Sequence, residues 1–102
     1  MEKADNKFQI CELEIGFKRG DETITKVTLR RPKAGELRHL NLQDLFQADV
    51  SAVLTLLPRI SDPIMTPQEC EDLDPIDLME LGGAIKGFFL SRAMKEMIVQ
   101  TN

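Results

Sequence analysis

The chain has 102 residues and room for one domain with one modest core. With 13 basic and 17 acidic residues its formal charge is −4, so no overall positive field exists to draw in nucleic acid or an anionic membrane. Tryptophan and tyrosine are absent and five phenylalanines are the only aromatics, which removes the usual stacking platforms of single-strand binders.

The opening residues, Met1 to Lys7, contain no apolar leader core, and no apolar run approaches the roughly 20 residues needed to span a bilayer. A cytoplasmic protein is expected, with residues 1–9 frayed. Cys11 and Cys70 are too few for a disulfide framework and read as small packing groups, one on a strand and one on a helix.

From residue 11 the alternation of Cys11, Leu13, Ile15 and Phe17 with Glu12, Glu14 and Gly16 predicts a half-buried strand. Lys18 to Glu22 supplies a turn around Gly20. In the second strand Thr25, Val27 and Leu29 face inward and Lys26, Thr28 and Arg30 outward, until Pro32 ends the pairing. An antiparallel hairpin over 11–30 with one apolar face follows. Such a hairpin is marginal alone, so helices must cover that face.

Residues 35–98 are predicted to supply them. Gly35 and Glu36 open a helical turn carrying Leu37 and Leu40, then a partly irregular link runs to Gln47. Asp49 caps a helix with Val50, Val53, Leu54 and Leu57 on one stripe, disrupted at Pro58. Ser61 to Met65 reads as loop. Thr66-Pro67-Gln68-Glu69 is a capping box for a short helix over 67–72, and Asp74-Pro75 launches the longest helix, over 75–98. The fold class is α+β, a β-hairpin packed on three to four helices in a single domain over 1–102.

The last helix has apolar residues on two sides. Leu78, Leu81, Ala84, Ile85, Phe88 and Phe89 form one side, expected to lie against the hairpin and the 49–57 helix. Ile76, Met79, Leu90, Met94 and Met97 form the other. Gly82, Gly83 and Gly87 each cost about 1 kcal/mol in a helix interior, so something besides propensity must hold the segment helical. Methionines are adaptable and glycines permit close backbone approach. Met79, Leu90, Met94, Met97 and Ile98 are therefore the candidate partner-binding residues, against the plainer reading of a helix sandwiched within its own domain.

Catalytic chemistry finds little support. The single His39 has no spaced partner, no serine lies in a glycine-rich elbow, and Gly82-Gly83 is not followed by the Lys-Ser or Lys-Thr of a phosphate loop. The two cysteines and one histidine do not form the close pairs of a zinc site. No catalytic, cofactor-binding or metal residue is assigned. Arg30, Arg31, Lys33 and Arg38 form the strongest basic cluster, read as an electrostatic contact with an acidic partner, a solvated strand end or, less well, a phosphate contact.

The run from Val27 to Arg38, the apolar segment Asp49 to Leu57, Leu73-Asp74-Pro75-Ile76-Asp77 and Phe88-Phe89 together resemble the small tail assembly chaperones of contractile-tailed phages and Mu-like prophages, of the E, 41 and 14 type. The resemblance implies a non-enzymatic role without cofactors: binding the long helical tape-measure protein and keeping it soluble until the tail tube polymerises around it. It implies the host bacterial cytoplasm as location, self-association as a further option, and no specific nucleic acid or membrane partner. In that family a frameshifted, extended product often accompanies the short one, and a chain ending at Asn102 would correspond to the short form. The alternatives are a structural tail component that stays in the particle and a small nucleic-acid-binding regulator.

Overall fold

A computed structural model describes residues 7–90. The described residues form an α+β fold: a three-stranded antiparallel sheet and four α-helices. Strands β1 (Phe8–Arg19) and β2 (Glu22–Arg30) make the expected hairpin, extended at its start into residues expected to fray. Arg19 faces Glu22 across the turn, where Gly20 takes φ +63°. The turn is thus tighter than the Lys18–Glu22 segment expected, because both of its flanks join the ladder.

The ladder is interrupted midway. Glu12 pairs with Lys26 and Phe17 with Ile24, so β1 places Leu13 to Gly16 where β2 places only Thr25. The bulge changes which residues face inward: Leu13 and Phe17 are buried, whereas Ile15 is 56% exposed. On β2, Thr25 turns to solvent, against the side expected for it, and Ile24 packs partly on the core. Strict alternation fails because extra residues on one strand rotate the side chains that follow.

After β2 a 3-10 turn at Ala34–Leu37 stands where a helical turn was expected at Gly35 and Glu36, and a short helix α1 (Leu42–Phe46) fills the link read as partly irregular. The Asn41 side chain caps α1, accepting N–H bonds from Gln43 at 2.7 Å and Asp44 at 3.3 Å. Helix α2 (Val50–Ile60) begins on the Asp49 cap as expected but continues through Pro58. Proline removes one N–H bond there. Leu57 and Ile60 are buried beside it, and the Ser61 N–H closes the helix on the Leu57 carbonyl, so the apolar face sustains the last turn.

Ser61–Asp62, expected as loop, forms a third strand, β3, with Ser61 opposite Leu29 and Asp62 opposite Thr28. Two residues carry no periodic signal of their own. Helix α3 (Pro67–Glu71) has the predicted capping box: the Thr66 hydroxyl accepts the Glu69 N–H at 3.1 Å and Glu69 accepts the Thr66 N–H at 3.0 Å.

Helix α4 (Pro75–Phe88) is the longest but ends ten residues before the expected stop at 98. The Phe89 N–H turns back to the Lys86 carbonyl at 3.0 Å and that of Leu90 to Gly87 at 3.3 Å, tightening the last turn one residue beyond a poor helix former, Gly87. Residues 91–98 of the expected helix lie outside the described residues. The core is continuous: Cys11, Val27 and Leu29 from the sheet meet Val53, Leu56 and Leu57 from α2 and Leu81, Ile85 and Phe88 from α4.

Candidate functional site

The exposed side of α4 is built on an anchor at its first turn. The Asp74 carboxylate caps the helix by accepting the Ile76 N–H at 3.0 Å, and Pro75 occupies the first turn, where its missing N–H costs nothing. Asp77 is 1% exposed and points into the β1 bulge. Its Oδ1 accepts the Glu14 N–H at 2.7 Å, and its Oδ2 accepts those of Ile15 at 3.1 Å and Gly16 at 2.8 Å. One carboxylate thus satisfies three successive backbone donors that the interrupted ladder leaves without strand partners. Gly16 makes this approach possible, since it sits at φ +80° and a Cβ there would collide with the Ile24 carbonyl oxygen.

With α4 held by Asp77 and its inner side by Leu81, Ile85 and Phe88, its other side faces solvent. Met79 is 73% and Ile76 44% exposed, both on the side of the helix where the sequence pattern places them. Gly83 and Gly87 open further along the same side, where an added Cβ would meet nothing. Between this side and β1 run two shallow hollows: Glu12, Glu14, Ile76, Met79 and Glu80 line the first, and Gln9, Met79, Glu80, Gly83 and Gly87 the second. Leu90 lies beyond the helix end and is half-buried. Met94, Met97 and Ile98 lie outside the described residues.

The basic cluster is divided by the fold. The Arg30 guanidinium forks onto the Glu36 carboxylate and also donates to the Arg59 carbonyl at 2.8 Å. Arg59 in turn donates to the carbonyls of Glu36 at 2.6 Å and Arg38 at 3.1 Å. Arg30 is therefore a brace between the end of β2, the 3-10 turn and α2. Arg31, Lys33 and Arg38 remain exposed. Arg30 and the Lys33 N–H hold the Glu36 carboxyl down at about 2.

A second brace joins the other end of β1 to α3. Arg19 donates to both Glu69 oxygens, at 3.1 and 2.7 Å, and to the Ile64 carbonyl at 2.7 Å. Its guanidinium also lies 5.6 Å from the Phe17 ring centre. The bond from Arg19, with that from the Thr66 N–H, holds Glu69 at about 2.

Both thiols are buried as expected, and burial pushes Cys11 and Cys70 up to about 11, which suits packing rather than nucleophilic chemistry. Among the described residues no group of three His, Cys, Asp or Glu side chains could hold a metal ion, and no helix is long and apolar enough to cross a membrane.

Sequence reasoning missed two features. Asp77 was legible in principle, because it lies one turn before Leu81, Ile85 and Phe88 on the inward side and a carboxylate there requires donors. The second is an apolar group on the outer sheet face, where Phe8 and Ile10 are 60% and 56% exposed beside Thr28, Arg30 and Ile64.

Residues 11–90 match the family described as phage tail assembly chaperone proteins, E, or 41 or 14. The chain is 39% identical over 83 residues to tail assembly protein E of Escherichia phage P2, a match covering 81% of this chain and 91% of that relative. It is 37% identical over 86 residues to tail assembly protein E' of the same phage, covering 84% of this chain and 61% of the relative, so it spans less than two thirds of E'. No solved structure matches. The match contains the whole of α2, α3 and α4 and nearly all of the hairpin, in the family that the strand-to-turn run and the double phenylalanine already resembled. The chain belongs to the phage tail assembly chaperones.

Proposed function

We propose that this chain binds the tape-measure protein in the bacterial host cytoplasm and keeps it soluble until the tail tube assembles around it, acting as a binding protein and not as an enzyme. The observation that supports this most is the solvent-facing side of α4, where Ile76 and Met79 stand exposed on a helix held firmly by Asp77. A tape-measure chain presents long apolar helical stripes, and an unbranched methionine beside open glycines can pack on stripes of varied shape. Many small copies along one long client would add weak contacts into strong retention.

The test is co-expression with the tape-measure protein encoded by the same phage. The client should move from the insoluble to the soluble fraction and co-purify with this chain. A client equally soluble with and without the chain would overturn the reading. So would finding the chain in stoichiometric amounts in purified particles, the expected result for a structural tail component.

A further inference from the structure

The groove between β1 and α4 has an apolar strip and a charged rim, and the charge is of one sign. Ile76 and Met79 supply the strip, and Gly83 and Gly87 leave it open to close backbone approach. Glu12 and Glu14 from β1 and Glu80 from α4 stand along it. All three are exposed, and among the described residues none forms an ion pair; Lys26, opposite Glu12 in the ladder, does not line the groove, and the two pairs present, Arg19–Glu69 and Arg30–Glu36, lie elsewhere. The side of β1 turned away from β2 is an outer edge of the sheet, so among the described residues no further strand covers the groove.

We infer that this groove receives a basic amphipathic helix of the partner, its apolar stripe on Ile76 and Met79 and its lysine or arginine side chains beside Glu12, Glu14 and Glu80. The inference rests on the proposed partner role of α4 and adds which kind of client segment is selected. Apolar contact alone would accept any greasy helix. Three carboxylates admit a cationic one and repel an anionic one, since like charges brought together at an interface oppose binding. A second copy of this chain fits poorly in its described residues: the exposed cations Lys7, Lys18 and Lys26 lie on or beside the hairpin, Arg31, Lys33 and Arg38 flank the 3-10 turn, and Lys86 is the single exposed cation on an α-helix.

Two designed amphipathic helices test this, identical in their leucine stripe but carrying lysines or glutamates at the polar positions. Each is titrated into the full-length, isotope-labelled chain. The lysine peptide should bind and shift the amides of Ile76, Met79, Gly83 and Gly87, and the glutamate peptide should not. The triple variant Glu12→Gln, Glu14→Gln, Glu80→Gln should bind the lysine peptide about tenfold or more weakly, from three partly exposed charge contacts. Glu71→Gln with Asp72→Asn, which removes two exposed acids on and just after α3, should bind as the unaltered chain does.

Equal binding of both peptides, an unweakened triple variant, an equal loss in the α3 variant, or shifts confined to the Phe8–Ile64 face would each overturn the inference. So would the same α4 amides shifting with protein concentration alone, which would make a second copy the occupant. Co-purification with the tape-measure protein separates the two levels. If Met79→Glu loses the client and the triple variant keeps it, the charge selection fails and the partner role stands; if both keep it, the partner role of this side fails.

Discussion

Asp77 accepts the Gly16 N–H at 2.8 Å, joining the first turn of the longest helix to the one place where the hairpin ladder breaks. The same carboxylate also serves Glu14 and Ile15. A buried carboxylate of this kind is tolerated because both of its oxygens accept backbone N–H bonds, and it makes the attitude of α4 against β1 depend on one side chain.

Asp77→Ala should therefore cost about 2 to 4 kcal/mol, a large part of the roughly 5 to 15 kcal/mol available to a small domain, because three part-buried donors lose their shared acceptor together. Asp77→Asn, with one acceptor oxygen left, should fall between the two. Urea denaturation measures both. A loss below about 1 kcal/mol for the alanine variant would mean that water or another group replaces the carboxylate.

Gly16 and Gly20 both take positive φ, yet only Gly16 is crowded: a Cβ added there would fall 2.9 Å from Thr25 Cγ2 as well as against the Ile24 carbonyl. Gly20→Ala should show only the left-handed backbone cost of about 1 to 2 kcal/mol. Gly16→Ala should exceed it by about 1 to 3 kcal/mol, the usual range for forced overpacking. Equal losses in paired denaturation curves would show that the bulge adjusts.

Acid should weaken the fold through Glu36 and Glu69. Both carboxyls are held at about 2 in the folded chain against 4.5 ordinarily, chiefly by their arginine partners. A depressed carboxyl contributes stability that is fully present above about 4.5 and is lost as pH falls toward 2. The double variant Glu36→Gln, Glu69→Gln should be less stable than the unaltered chain at pH 6 and converge with it near pH 2. The gap should be modest, as both pairs are partly solvated. A gap independent of pH would assign the effect to packing.

Much of this fold was legible because its signals are local. Asp49, the Thr66–Glu69 box and Asp74-Pro75 mark three helix starts that the structure reproduces, and Val27 and Leu29 mark the inward side of β2. What escaped depends on distant partners. The bulge is hidden because Leu13 and Phe17 are both buried and keep an even spacing, and β3 exists only through Leu29 and Thr28. The end of α4 was overrun because Leu90 continues an apolar period past the tightening turn at Phe89. In the candidate site, exposure of Met79 was readable from the helix wheel, whereas the Asp77 anchor required knowing which strand lay beneath it.

The central claim, that the outer side of α4 holds the client, is tested most directly by Ile76→Glu with Met79→Glu in the full-length chain, scored for tape-measure capture on co-expression. Both side chains face solvent, so the thermal midpoint should stay within a few degrees of the unaltered chain. Capture should be lost, with the client returning to the insoluble fraction. A folded double variant that still captures and solubilises the client would contradict the claim.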